Sequence, residues 1–213
     1  KSIVSSSKGV IAPSEYLLGL MKREMESEKY LLIPNGLVLD RYQKLHKENG
    51  AKEKRILLMG RMQKSKNMQT VIRALAKVDL KDWNVDILGD GPYREELERL
   101  VKGLKISEKI SFHGWIDNAT EEQLSFLKKA SIYITASHFE NCPMAVLETI
   151  AAGCYPLLSD IPSHRQFVKD DIYFFQKDDV DELAEKIENQ VNKEHLWNNN
   201  YIDISRYDWE HIV

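Results

Sequence analysis

Two glutamates, Glu140 and Glu148, stand with seven residues between them in the stretch FENCPMAVLETIAAG, Phe139 to Gly153. Phe139 to Cys142 reads as a polar loop. Pro143 is placed like the first residue of a helix, where a missing N–H costs nothing. Met144 to Ala152 is apolar at helical spacing, and Gly153 sits where a C-terminal cap belongs. A helix mouth carries free N–H groups and about half a unit of positive charge, which suits a diphosphate. Helical side chains lean toward the N-terminus, so Glu148 reaches back to that mouth. A carboxylate there would repel phosphate but can accept both protons of a vicinal diol. Helix dipole for a diphosphate, Glu148 for a ribose, Glu140 for a sugar hydroxyl: the pattern fits a nucleotide sugar. The competing reading is a solvated loop glutamate and an exposed helical one.

A second constellation is cationic. Gly60-Arg61 follows the apolar run RILLM, and Lys66 comes five residues after Arg61. An Arg grips a phosphate with two parallel N–H bonds and a Lys adds a point charge. The pair can neutralise a diphosphate without metal, or be two solvated loop cations.

These residues need elements to position them. KGVIAP (8–13) reads as a short strand, with Ser14 capping a helix to about Glu24 and a second strand over Tyr30 to Ile33, ended by the turn Pro34-Asn35-Gly36. Gln43 to Lys54 is charged and reads as linker. From Arg55 strands and helices alternate. RILLM is continuously apolar, like a strand buried on both faces. Asn67 is placed to cap the next helix. WNVDIL is a strand, and Pro92 opens a helix to about Val101. Lys109 to His113 is a strand, and Thr120 with Gln123 forms a capping box. SIYIT, CYPLL and IYFF are strands, with a short helix near Ser163 to Val168. Asp178 is placed to cap a helix to about Val191. Such alternation predicts an α/β fold with a doubly wound parallel sheet, whose right-handed crossovers put the strand-end loops on one ligand-binding edge.

RILLMGRMQKSKN, ILGDGPYREELERL, ISFHGW, ASIYITAS, the E-x7-E stretch and GCYPLLSDIPSHRQFV follow one another in an order that resembles retaining GT-B glycosyltransferases, in particular glycosyltransferase family 4, the group 1 enzymes. The likeness covers nearly the whole chain. It implies a Rossmann-like GT-B donor-binding domain over residues 55–195. It also implies a remnant of the acceptor domain over 1–42, a linker over 43–54 and the start of a return helix over 196–213.

The resemblance assigns Gly60, Arg61 and Lys66 to the donor phosphates. Backbone donors from Met144 and Ala145, beside Cys142 and Pro143, join them. Trp115 or Ile116 would meet the base, Glu148 the ribose and Glu140 the donor sugar, with Glu140, Arg61 and Lys66 catalytic. The implied donor is a UDP- or GDP-sugar, transferred with retention to a glycan or lipid-linked acceptor held by the N-terminal domain. No cofactor is implied beyond that donor, and no metal. A cytoplasmic enzyme of polysaccharide biosynthesis, with peripheral membrane contact, is expected by analogy. The 213 residues alone are expected to bind donor but transfer nothing. The alternatives are a non-catalytic nucleotide-sugar-binding module and a sugar-nucleotide epimerase. Two positions depart from the family pattern: Asn67 stands where Gly often follows the Lys, and Gln166 where an acidic residue is frequent.

Other features exclude other classes. Net charge is −3, so no basic field argues for nucleic acid. The two cysteines, Cys142 and Cys154, make no zinc spacing or disulfide framework and read as reduced thiols. No apolar run approaches a membrane span and no signal peptide opens the chain. Lys1 in place of Met reads as a fragment. Gly89-Asp90-Gly91 lacks the third small residue of a dinucleotide fingerprint, since that position is Arg94. Asp179-Val180-Asp181 spells D-x-D but begins an amphipathic helix and reads as structural. His113, His138 and His164 show no metal spacing.

Overall fold

The computed structural model describes residues 8–24, 29–47, 52–193 and 202–212. Two short parallel strands come first, β1 (Val10–Ala12) and β2 (Tyr30–Leu32), joined by α1 (Glu15–Glu24). Ser14 caps α1 as its side chain predicts, its Oγ accepting the Leu17 N–H at 3.1 Å. The chain then enters α2 (Leu39–Lys47).

That helix corrects the linker expected over 43–54: residues 43–47 are helical, and the next strand already begins at Glu53. Charge and polarity suggested a tether. Yet Leu39 and Tyr42 lie three apart on one face and are buried, with Leu45 packed against the same core. Three apolar contacts at helical spacing outweigh a polar composition.

The main sheet has six strands, all parallel: β3 (Glu53–Met59), β4 (Asn84–Leu88), β5 (Ile110–Gly114), β6 (Ala130–Thr135), β7 (Tyr155–Ser159) and β8 (Phe174–Phe175). Their order is β5-β4-β3-β6-β7-β8, so the chain winds outward from β3 one way and then from β6 the other. This is the doubly wound, Rossmann-like order, and the reversal between β3 and β6 opens a crevice at their C-terminal ends. Ile56, Leu57 and Leu58 of β3 are all essentially inaccessible, as a strand covered on both faces requires.

The helices are α3 (Met68–Leu75), α4 (Arg94–Gly103), α5 (Glu121–Lys129), α6 (Met144–Ala151), α7 (Pro162–Arg165), α8 (Val180–Val191) and α9 (Trp209–Ile212). α3 packs against α4 and α8, while α2 packs against α5 and α6. Thr120 caps α5, its Oγ1 accepting the Gln123 N–H at 3.3 Å. Asp179, not Asp178, caps α8, accepting the N–H groups of Asp181 and Glu182. Asp178 takes a left-handed conformation (φ 66°) and bonds His138 and Asn67 instead.

The expected return helix over 196–213 lies partly outside the described residues. Within them, residues 205–207 form a 3-10 turn and α9 begins at Trp209. The segment between β2 and α2 is tied here: Leu37 N–H donates to Tyr207 O at 2.8 Å and Trp209 N–H to Leu37 O at 3.0 Å.

Candidate functional site

A pocket of about 600 Å³ opens at the β3/β6 crevice. One wall is the loop after β3, with Gly60, Arg61 and Lys66. Another is the loop after β4, Leu88 to Gly91, beside Trp115, Ile116 and Asn118 from the loop after β5. The third is the first turn of α6, Met144 and Ala145, with Glu148 and Gln123 behind it. Eight residues singled out from sequence therefore face one cavity. Glu140, Cys142 and Pro143 do not line it: Pro143 is the buried N-cap of α6, and Cys142 is half-buried with its thiol pushed up by burial.

The glycine turn after β4 has its own reason. Met62 N–H donates to Asp90 O at 2.8 Å and Gly60 N–H to Leu88 O at 3.0 Å, so two loops run backbone against backbone. A Cβ on Gly89 would lie 2.0 Å from Gly60 O, and one on Gly91 2.4 Å from Met62 O. Both glycines also have positive φ. The G-D-G spelling serves this crossing, which fixes that wall of the pocket.

On that wall Arg61 is exposed and, among the described residues, pairs with no carboxylate. The Lys66 ammonium bonds the Glu140 carboxylate, and Ser137 Oγ donates to the same Glu140 oxygen at 2.9 Å. Glu140 therefore touches a lining residue, Lys66, without lining the cavity itself. Asn67, where glycine would be expected, has φ 51°, a left-handed conformation that Asn tolerates well. Its side chain accepts from Thr70 Oγ1 at 3.0 Å and donates to Asp178 at 2.9 Å, so it reaches no free N–H of α3. Asn67 occupies the cap position, and its carbonyl accepts the Thr70 N–H at 3.1 Å.

At the mouth of α6, the first N–H to find a backbone carbonyl is that of Val146, at 3.1 Å from Pro143 O. Met144 and Ala145, whose N–H groups are the orphan donors of a helix start, line the pocket. Glu148 is 5% exposed, and burial raises its carboxyl above the usual range. Two donors work against that rise. Gln123 Nε2 gives a hydrogen bond at 3.3 Å, and the Tyr42 hydroxyl gives another. Burial first, and the Glu148 charge second, push the Tyr42 phenol up to about 12.

A family model, glycosyl transferases group 1, matches residues 41–205. The chain belongs to this family. It is 28% identical over 179 residues to the alpha-monoglucosyldiacylglycerol synthase of Streptococcus pneumoniae, a match that covers 78% of this chain and 40% of that enzyme. A Campylobacter jejuni N-acetylgalactosaminyltransferase acting on a diphospho-undecaprenol substrate is 34% identical over 55% of this chain, covering 31% of its own. The chain thus spans less than half the length of these curated relatives. Anabaena HepE, solved with UDP and glucose, superposes with a TM-score of 0.81 at 18% identity, over 97% of this chain and 61% of that one. The fold is the α/β GT-B type.

Group 1 membership leaves several residues beside the site that sequence reasoning did not single out. Tyr42 sat in a segment assigned to the neighbouring domain. Gln123 was legible only as a capping residue; here its Oε1 accepts the Ala119 N–H while its Nε2 serves Glu148. The D-x-D pair is accounted for away from the pocket, Asp179 capping α8 and Asp181 pairing with Lys77. Among the described residues no helix is long and apolar enough to cross a membrane.

Proposed function

We propose that these residues are the donor-binding half of a retaining glycosyltransferase of the family 4 type. What supports the reading is one convergence: two cations, a helix mouth and a buried carboxylate share a pocket at the switch point of the sheet. In this reading Arg61, Lys66 and the Met144 and Ala145 N–H groups hold the diphosphate and stabilise charge on it as it departs. Glu148 takes the ribose hydroxyls. Trp115 and Ile116 flank the base. Glu140 orients the donor sugar and favours positive charge at its anomeric carbon. The bond from that carbon to the diphosphate oxygen breaks, the acceptor oxygen bonds on the same face, and the acceptor's hydroxyl proton passes to the departing diphosphate oxygen.

The acceptor would be a glycan or lipid-linked hydroxyl, the class that the two curated relatives' names describe. It would be held by a domain joined to β1 and β2, whose Ile11, Leu31 and Leu32 are exposed. Peripheral membrane contact would come through that domain, and the chain alone would bind donor without transferring sugar.

The test is thermal unfolding of the chain with UDP, GDP and ADP in turn, beside Arg61→Ala and Glu148→Ala. A ligand at about 100 times its dissociation constant adds about 2.7 kcal/mol, which moves the midpoint of a domain this size by roughly 5–10 °C. One diphosphate stabilising the wild type but neither variant is the expected result. Equal stabilisation of all three proteins, or of none, overturns the site assignment.

A further inference from the structure

Glu148 is clamped from two helices. Gln123 on α5 holds it from the pocket side at 3.3 Å, and the Ala119 N–H holds Gln123 in turn. Tyr42 on α2 holds it from behind, and the Tyr42 and Glu148 side chains are 4% and 5% exposed. Tyr42 does not line the pocket, so any effect it has on a ligand passes through Glu148. α2 is itself fixed. It packs against α5 and α6, Arg41 Nη2 donates to Ala119 O, and the residues before it pair with Tyr207 and Trp209.

A carboxylate offers about four lone-pair positions. Two neutral donors from different helices fix its plane and leave room for two further hydroxyls. A phenol whose pKa is raised to about 12 stays protonated at any working pH, so the Tyr42 bond is permanently a donor bond.

We propose that Tyr42, with Gln123, is a positioning residue that sets Glu148 for a cis-diol and so makes the site prefer ribonucleoside over 2′-deoxyribonucleoside diphosphates. The inference rests on the reading of Glu148 as the ribose ligand. Released on one side, the carboxylate can still turn to follow a single hydroxyl, but it no longer meets two at once. Losing Tyr42's hydroxyl therefore costs the diol more than the lone 3′-hydroxyl.

The experiment is calorimetric binding of UDP, GDP and ADP, and of their 2′-deoxy forms, to the 213-residue chain. The wild type is expected to bind its best ribonucleotide about tenfold or more tighter than the deoxy form, because a diol site left half-filled strands a buried acceptor. Tyr42→Phe keeps the ring and its packing. It should weaken the ribonucleotide about fivefold, within the net range of one ordinary hydrogen bond, and leave the deoxy form within about twofold. Gln123→Leu removes the other arm and should lower the same ratio, which keeps the idea testable if Tyr42→Phe folds poorly. A purely structural Tyr42 would move the melting midpoint or both affinities together, not their ratio. An unchanged ratio in Tyr42→Phe, with Glu148→Gln abolishing it, overturns the role of Tyr42 alone. A ratio unchanged in Glu148→Gln, or no nucleotide bound at all, overturns the ribose reading and this inference with it.

Discussion

The Lys66 ammonium and the Glu140 carboxylate bond each other beside the pocket, although they come from loops after different strands. Each is the other's ion-pair partner, so on the proposed reading a diphosphate entering the pocket would compete with Glu140 for Lys66. Both side chains are partly exposed, at 23% and 14%, and such a pair adds only about 1 kcal/mol or less to stability. Glu140→Gln is therefore expected to unfold within about 1 kcal/mol of wild type. It should bind the nucleoside diphosphate as tightly or more tightly, because Lys66 is released. Transfer by the full-length protein should fall about a hundredfold or more, the scale of a lost electrostatic partner at a reacting centre. Weaker diphosphate binding in Glu140→Gln would show that the pair supports the phosphate site rather than competing with it.

Glu148 separates stability from binding. Burial raises its folded carboxyl above the unfolded value, so its contribution is fully present below the unfolded pKa and is lost as pH rises through the folded one. The neutral isostere Glu148→Gln removes that penalty. At about pH 8 it should be as stable as wild type, or more so, in urea unfolding, and the wild type should gain on it as the pH is lowered. Nucleotide affinity should nevertheless drop about tenfold or more, since the amide accepts from only one oxygen. A variant less stable by over 1 kcal/mol at that pH would mean the ionised carboxylate is a net stabiliser.

Much of this site was legible because its signals are local. The strand–loop–helix containing Gly60, Arg61 and Lys66, and the loop and helix containing Glu140 and Glu148, each announce themselves within a dozen or so residues. The continuous apolar run of β3 fixed its burial on both faces. What sequence concealed was pairwise. Tyr42 meets Glu148 only because α2 packs on α6, and Tyr42 is indistinguishable in sequence from any core aromatic. The helix over 39–47 was hidden by its charge, since two buried apolar residues and the partly buried Leu45 decide it while six polar ones set the composition. Asp178 and Asp179 are chemically equal as caps. Only the left-handed turn at Asp178 hands the cap to its neighbour.

The crossing of the loops after β3 and β4 makes a stability prediction with an internal control. Gly89→Ala places a methyl 2.0 Å from Gly60 O at φ 128°, so backbone must move on the wall that holds Gly60 and Arg61. A loss of roughly 2–4 kcal/mol is expected, together with weaker diphosphate binding. Gly103 ends α4, and a Cβ there meets nothing within 4 Å. Gly103→Ala should be neutral or stabilising by up to about 1 kcal/mol. Equal effects of the two substitutions in urea unfolding would argue that the loop crossing is pliable.

His164 sets the acid limit of the fold. It is fully buried in the short helix α7 after β7, its Nδ1–H donates to Ser159 O at 2.8 Å, and its Nε2 has no partner among the described residues. Burial holds its pKa down at about 4, against 6.5 for the ordinary group. The unfolded chain therefore takes up this proton at a higher pH than the folded one. Between those values the unfolded state binds more protons, so stability rises with pH there and falls as the pH drops from 6.5 toward 4. From about pH 7.5 to about pH 5 the loss from this one group should be roughly 2 kcal/mol. His164→Leu cannot titrate and should lose that much less stability over the same interval in urea unfolding. Parallel pH profiles for the two proteins would place the acid sensitivity elsewhere and mean that His164 is protonated in the folded state without cost.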